Sequence, residues 1–146
     1  MSLRYEHCEI IRATPEAVFA VIDDLPQTAK WLPPCVSLEK VGEGVNAVGD
    51  QLHYAYRQGS NQGTMAGEIL ARVPDQRLYC KYTDKMFEVG VDLLVNADSA
   101  GCMSTHIINI TPKTWVGKLM SPLIRVGLKK QTRDAAANLR RLLEST

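Results

Sequence analysis

The stretch ATPEAVFAVIDDLPQTAKWLPP, residues 13–34, opens as a helix, stops at two aspartates and starts again into Trp31-Leu32-Pro33-Pro34. Thr14 is a good N-cap, Pro15 fits the first helical position, and Glu16 suits a first turn, where the helix dipole favours an acid. Ala17, Val18, Val21 and Ile22 follow at helical spacing, with Phe19 beside them. Asp23 and Asp24 stand where negative charge is unfavourable, so this helix is expected to end near Asp23. Pro26 restarts a second short helix, Gln27 to Leu32, and Pro33-Pro34 stops it. Two short helices in tandem take their meaning from what flanks them.

Upstream, LRYEHCEIIR (residues 3–12) alternates and is rich in β-formers, which reads as a strand. Downstream, Cys35 to Thr111 reads as six more strands. They are punctuated at Gly42-Glu43-Gly44, Gly49-Asp50, Gly59-Ser60-Asn61, Pro74-Asp75, Thr83-Asp84-Lys85 and Asp98-Ser99-Ala100-Gly101. Short strands with regular turns make an antiparallel meander. From Thr114 to Ser145 the period changes. Leu128, Ala135, Leu139 and Leu142, with Ala136 and Leu143, line one side of an amphipathic helix of about four turns or more. Arg133, Arg140, Arg141 and Glu144 take the other side. Pro122 is expected to kink this helix or to mark its true start, with Ser121 as cap.

With 146 residues, no internal repeat and no linker, the chain reads as one domain, 1–146, able to bury a core without staples. A net charge of +1 lacks the basic excess of a nucleic-acid binder, so no nucleic-acid partner is expected. Residues 1–12 are too polar for a secretory leader, and no apolar run approaches the ~20 residues of a spanning helix. No stable membrane insertion is expected. Cys8, Cys35, Cys80 and Cys102 form no CxxC pair, which suits four reduced thiols in a cytoplasmic protein.

Strand alternation assigns two faces. The covered one takes Leu52, Tyr54 and Tyr56; Met65, Gly67, Ile69, Ala71 and Val73; Leu78, Cys80 and Tyr82; and Phe87, Val89, Val91, Leu93 and Val95. The wet one takes His53, Arg57, Glu68, Arg72, Tyr79, Lys81, Glu88, Asp92 and Asn96. Only the C-terminal helix is long enough to cover the first face. Tyr54, Tyr56 and Tyr82 carry hydroxyls that need partners, whereas Gly67 and Ala71 are small and leave space. Phenols and small residues on a concave face suit a ligand pocket.

In this order the chain resembles the START-like superfamily, also called SRPBCC or Bet v 1-like, in its polyketide cyclase/dehydrase and lipid transport branch. RATPEAVFAVIDDLPQTAKWLP resembles the family's entry signature. ARVPDQRLYCKY resembles its strand–Pro–Arg-Leu–strand turn, and PLIRVGLKKQTRDAAANLRRLLE its closing helix. The resemblance spans nearly the whole chain. It implies an α+β helix-grip fold. A curved seven-stranded antiparallel sheet would wrap the long C-terminal helix, and the two short helices after the first strand would close one end. Val18, Phe19, Val21 and Ile22 would bury against the long helix, with Trp31 and Leu32 near the cavity mouth.

No nucleophile elbow, Cys-His pair, HExxH or phosphate loop is present, and GEGVNAVG lacks the Lys and the helix such a loop needs. No metal or cofactor is expected. Glu68 and Asp92 fall on the wet face, which disfavours a paired-carboxylate mechanism. His53 is also on the wet face, and His7 faces inward with Ile11. The resemblance turns Ser104, His106, Ile108 and Ile110 inward, so His106 is the candidate polar group of the pocket, partnered by one of the tyrosines. The basic residues Arg125, Lys129, Lys130, Arg133, Arg140 and Arg141 read as a solvated face, or as a contact for anionic lipid or an acidic partner.

The expected function is binding of a small hydrophobic molecule (lipid, polyketide-like or isoprenoid/aromatic) by a carrier or sequestering protein. Its expected ligand-binding residues are Tyr54, Tyr56, Met65, Ile69, Tyr82, Phe87, Val89, Val91 and His106, with Leu123 and Leu128 from the helix. The alternatives are a polyketide cyclase/dehydratase-type enzyme with His106 as general acid/base, and a protein-interaction or accessory factor.

Overall fold

The computed structural model describes residues 2–145. Strand β1 (Leu3–Ile11) leads into helix α1 (Pro15–Asp23), a 3-10 turn (Leu25–Gln27) and a single-turn helix α2 (Thr28–Trp31). Then come β2 (Cys35–Lys40), β3 (Gln51–Gln58), β4 (Asn61–Val73), β5 (Arg77–Thr83), β6 (Phe87–Asp98), β7 (Gly101–Pro112) and helix α3 (Trp115–Glu144). All strands pair antiparallel in one sheet, ordered β1-β7-β6-β5-β4-β3-β2. The meander accounts for every neighbour except β1, which closes onto β7 and makes the first and last strands partners.

The local signals hold. The Thr14 hydroxyl accepts from the Ala17 N–H at 3.1 Å, and α1 ends at Asp23. The second helix is shorter than expected, because its first residues form the 3-10 turn around Pro26. Helix α3 departs from expectation. It starts at Trp115, with the Thr114 hydroxyl accepting from Gly117 N–H at 3.2 Å, and it runs through Pro122. Ser121 is therefore not a cap; its hydroxyl donates to the Gly117 carbonyl at 3.3 Å. Pro122 is exposed, so water can satisfy the carbonyl of Lys118, which loses its usual N–H partner there.

One core runs from α1 and α2 across the sheet to the C-terminal half of α3. It holds Val18, Phe19, Ile22, Trp31, Ile69 and Leu139, all nearly excluded from solvent. Helix α1 packs on the ends of β5, β6 and β7, and it is α2 that meets α3, where Asn138 donates to the Trp31 carbonyl at 3.1 Å. The expected burial of α1 against the long helix is thus mainly burial against the sheet. A smaller cluster of Leu3, Ile108 and Leu128 seats the middle of α3 on β1 and β7.

Alternation predicts the faces well until a bulge in β4. Pairing with β5 shifts between Ile69 and Ala71, so Arg72 rather than Ala71 lies opposite the buried Leu78. Beyond the bulge the faces exchange. Arg72 turns inward and holds Asp23 with two bonds, Nε–Oδ1 at 2.9 Å and Nη2–Oδ2 at 2.8 Å. Asn46 adds 3.0 Å to the same carboxylate, and the Arg72 guanidinium lies 5.5 Å from the Phe19 ring centre. This pair explains why a carboxylate is tolerated at the C-terminal end of α1.

Gly67 does not leave the expected space either. A Cβ there would come within 2.6 Å of the Tyr82 ring and 3.1 Å of Leu52, because the ring already lies over the glycine. Gly67→Ala is expected to cost about 1–3 kcal/mol, as overpacking does. Urea unfolding of the variant against wild type checks this; an unchanged midpoint would mean that the ring moves freely.

Candidate functional site

On the concave face buried and half-buried side chains lie side by side: Met65 pairs with Tyr54, Tyr82 with Val89 and Cys80 with Val91. Met65, Ile69 and Tyr82 are buried, as walls of the core. Tyr54, Tyr56, Phe87, Val89 and Val91 are half-buried. The three tyrosines meet: Tyr54 stacks on Tyr56 with ring centres 6.0 Å apart and tilts over Tyr82 at 5.2 Å. Burial raises the Tyr54 phenol well above its usual range, helped by Cys35 and Tyr56, and burial does the same to Tyr82. Both phenols therefore stay protonated and can donate. Gln58, at the end of β3, donates to Gln131 of α3 at 2.9 Å, which ties the sheet to the helix.

Leu128 is buried as expected, in the cluster that seats α3 on β1 and β7. Leu123 is not at the site. It is 76% exposed, and the next residue, Ile124, packs inward instead. One position is a 100° turn on a helix, enough to exchange inside for outside. Two open depressions flank α3. One of about 540 Å³ lies at Pro112, Lys118, Ser121, Pro122 and Arg125; the other, about 380 Å³, lies between Ser2–Tyr5 and Arg125–Lys129. Neither touches the three tyrosines.

His106 is buried, 1% exposed, but a tyrosine is not its partner. Its Nε2 lies 3.2 Å from the Ser104 hydroxyl, and its ring meets Trp31 edge-on at 5.8 Å. The tyrosines sit on β3 and β5, and β5, the nearer of the two, lies two strands from β7. Burial, and secondarily the nearby His7, lowers the His106 pKa to about 4. The ring is neutral at ordinary pH. Trp31 is 2% exposed, and its indole N–H has no acceptor, the one such buried polar atom among the described side chains. A buried donor left without an acceptor is costly.

A second polar group lies next to this one. His7 faces His106 across the β1–β7 ladder, and Glu9 faces Ser104. The Glu9 carboxylate takes His7 Nε2 at 2.8 Å and Arg140 Nη1 at 2.9 Å. The inward placing of His7 was legible from β1 alternation, and the same alternation carries Glu9. In the sequence Arg140 belongs to the basic set that reads as a solvated face or as a contact for anionic lipid or an acidic partner, and the structure pairs it with Glu9. An inward carboxylate needs a cation, and that signal could have drawn attention to the helix opposite. Among the described residues no cluster of three potential metal ligands occurs, and no helix is long and apolar enough to cross a membrane.

A curved antiparallel sheet closed by its first and last strands around a C-terminal helix defines the helix-grip class. The family described as polyketide cyclase/dehydrase and lipid transport matches residues 3–144, and the chain belongs to it. Solved structures share the fold at low identity. The aromatase/cyclase Zhui from Streptomyces sp. R1128 superposes with a TM-score of 0.78 at 10% identity, covering 99% of this chain and 94% of that one. Ara h 8.0201 gives 0.74 at 14% identity over 100% of both chains. TTHA0849 from Thermus thermophilus gives 0.73 at 15% identity, covering 99% and 98%. No curated protein sequence matches the chain.

Proposed function

We propose that the protein binds one small, largely apolar molecule between the sheet and α3, as a carrier or sequestering protein. The observation that carries this reading is the half-buried set Tyr54, Tyr56, Phe87, Val89 and Val91, which lies beside packed core residues on the inner face of the sheet. Large apolar side chains left half-wet on a concave surface are what ligand burial would complete, at about 25 cal/mol per Å² before ordering costs. The Trp31 N–H, buried without an acceptor, suits a ligand with one oxygen acceptor at its inner end. Lipid, polyketide-like and isoprenoid or aromatic molecules all meet this description.

The family's description also names cyclase and dehydrase chemistry, and the resemblance to an aromatase/cyclase fold supports a second reading with His106 as general acid/base. Its chemistry is poorly matched to that task. A base serves best when its pKa lies near the working pH, and His106 stands at about 4 behind Ser104 and Trp31. The carrier reading is therefore preferred.

Native mass spectrometry of protein purified from its own source should reveal a bound apolar molecule, and the apo protein should rebind that molecule saturably. Trp31→Phe keeps the ring beside His106 but removes the unpaired N–H. It should leave stability within about 1 kcal/mol of wild type yet weaken binding of an oxygen-bearing ligand about tenfold, the worth of one buried hydrogen bond. Val91→Trp should block binding by filling the half-open face. Absence of any saturable apolar ligand, or undiminished binding by Val91→Trp, would defeat the proposal.

A further inference from the structure

The first three turns of α3 carry an apolar stripe turned to solvent. Trp115 is 72% exposed, Leu119 69%, Leu123 76% and Val126 81%, with Val116 beside them at 41%. At about 100° per residue, Trp115, Leu119 and Val126 share one line, opposite the buried Gly117 and Leu128. Isolated exposed apolar residues need no explanation, but a continuous helical stripe does.

The surrounding charge is one-sided. Residues 115–133 contain Lys118, Arg125, Lys129, Lys130 and Arg133 and no acidic residue, in a chain whose net charge is only +1. Lys118, Arg125 and Lys129 line one edge of the stripe and are exposed, and Lys85 is exposed on the turn next to the start of α3. Among the described residues, Lys130 is the one of these five cations paired with a carboxylate, Asp134 at 2.6 Å.

We infer that this face of α3 is a peripheral docking surface for an anionic phospholipid bilayer. Apolar side chains including a tryptophan on one face, edged by Lys and Arg, match a helix lying in the headgroup plane. Each cation near such a surface adds to attraction that salt screens. A second protein fits less well. The stripe offers five side chains, against the roughly 20–30 residues a side of a stable protein interface.

Flotation with vesicles of phosphatidylcholine and phosphatidylserine, at about 7:3, against pure phosphatidylcholine tests this. Wild type should float with the anionic vesicles, and high salt should release it. Trp115 fluorescence should shift to the blue on binding, since the only other tryptophan, Trp31, is already buried. Leu119→Ser with Val126→Ser should lower binding about tenfold or more, and Lys118→Glu with Lys129→Glu should abolish the preference for phosphatidylserine. All four positions are exposed, so the variants should keep wild-type circular dichroism. Failure to float, or flotation indifferent to Leu119→Ser with Val126→Ser, would overturn the inference. So would a dimer in sedimentation equilibrium that the same two substitutions dissociate, because the stripe would then belong to a second copy.

Discussion

Asp23→Ala is expected to destabilise the protein by about 2–4 kcal/mol in urea unfolding, somewhat below the cost of breaking a wholly buried ion pair. The side chains of Asp23 and Arg72 are 21% and 16% exposed, so removing the carboxylate strands a mostly buried guanidinium. Asn46 loses a partner as well. Replacing both ends, as Asp23→Ala with Arg72→Met, should restore part of the loss, because the uncompensated charge goes too. The pair also predicts acid sensitivity. Burial pushes the Asp23 carboxyl up, but the bonds from Arg72 and Asn46 outweigh it and hold the pKa below the ordinary 3.8. A depressed carboxylate pKa stabilises the fold above that value, and the gain is lost as pH falls through the folded pKa. The wild type should therefore lose more stability below pH 3.8 than Asp23→Ala does. Equal acid slopes would mean that the pair contributes nothing.

His106 predicts a second acid transition in a higher window. An unfolded histidine takes up its proton near pH 6.5, the folded one only near 4. The stabilisation is complete above about pH 6.5 and declines as pH falls toward 4, by up to about 3 kcal/mol. His106→Phe should abolish this slope while leaving the lower Asp23 window in place. Unfolding free energies at about pH 7 and about pH 4.5 decide the matter, since a single titrating group gives this sign only if the folded state resists protonation. An identical slope in both proteins would mean that His106 is reached by water or paired with a group that holds its charge.

The same residues show how much could be read without coordinates. The inward faces of β3, β5 and β6 follow from alternation, because each strand pairs without interruption along its inner residues. The rule fails in β4, where one extra residue turns Arg72 in and Ala71 out. Nothing in GEILARV announces that bulge. His106 and Ser104 share a face of β7 and both are expected inward, whereas the edge contact with Trp31 is not legible, since it depends on where α2 packs over the sheet. Leu123 and Ile124 are adjacent and both apolar. Periodicity in a segment that is apolar all round cannot say which of them faces the sheet.

Local chemistry determined the order and type of the elements: the Thr14 cap, the aspartate stop, the proline restart, the turns and the final helical period each act over a few residues. Tertiary structure alone decided the contents of the site. The Trp31–His106 contact and the Glu9–Arg140 pair join residues far apart in the chain, and the outward stripe on α3 depends on which side of that helix meets the sheet. Such contacts depend on register and on where a helix comes to rest, and those are set by the packing of the entire sheet rather than by any short stretch within it.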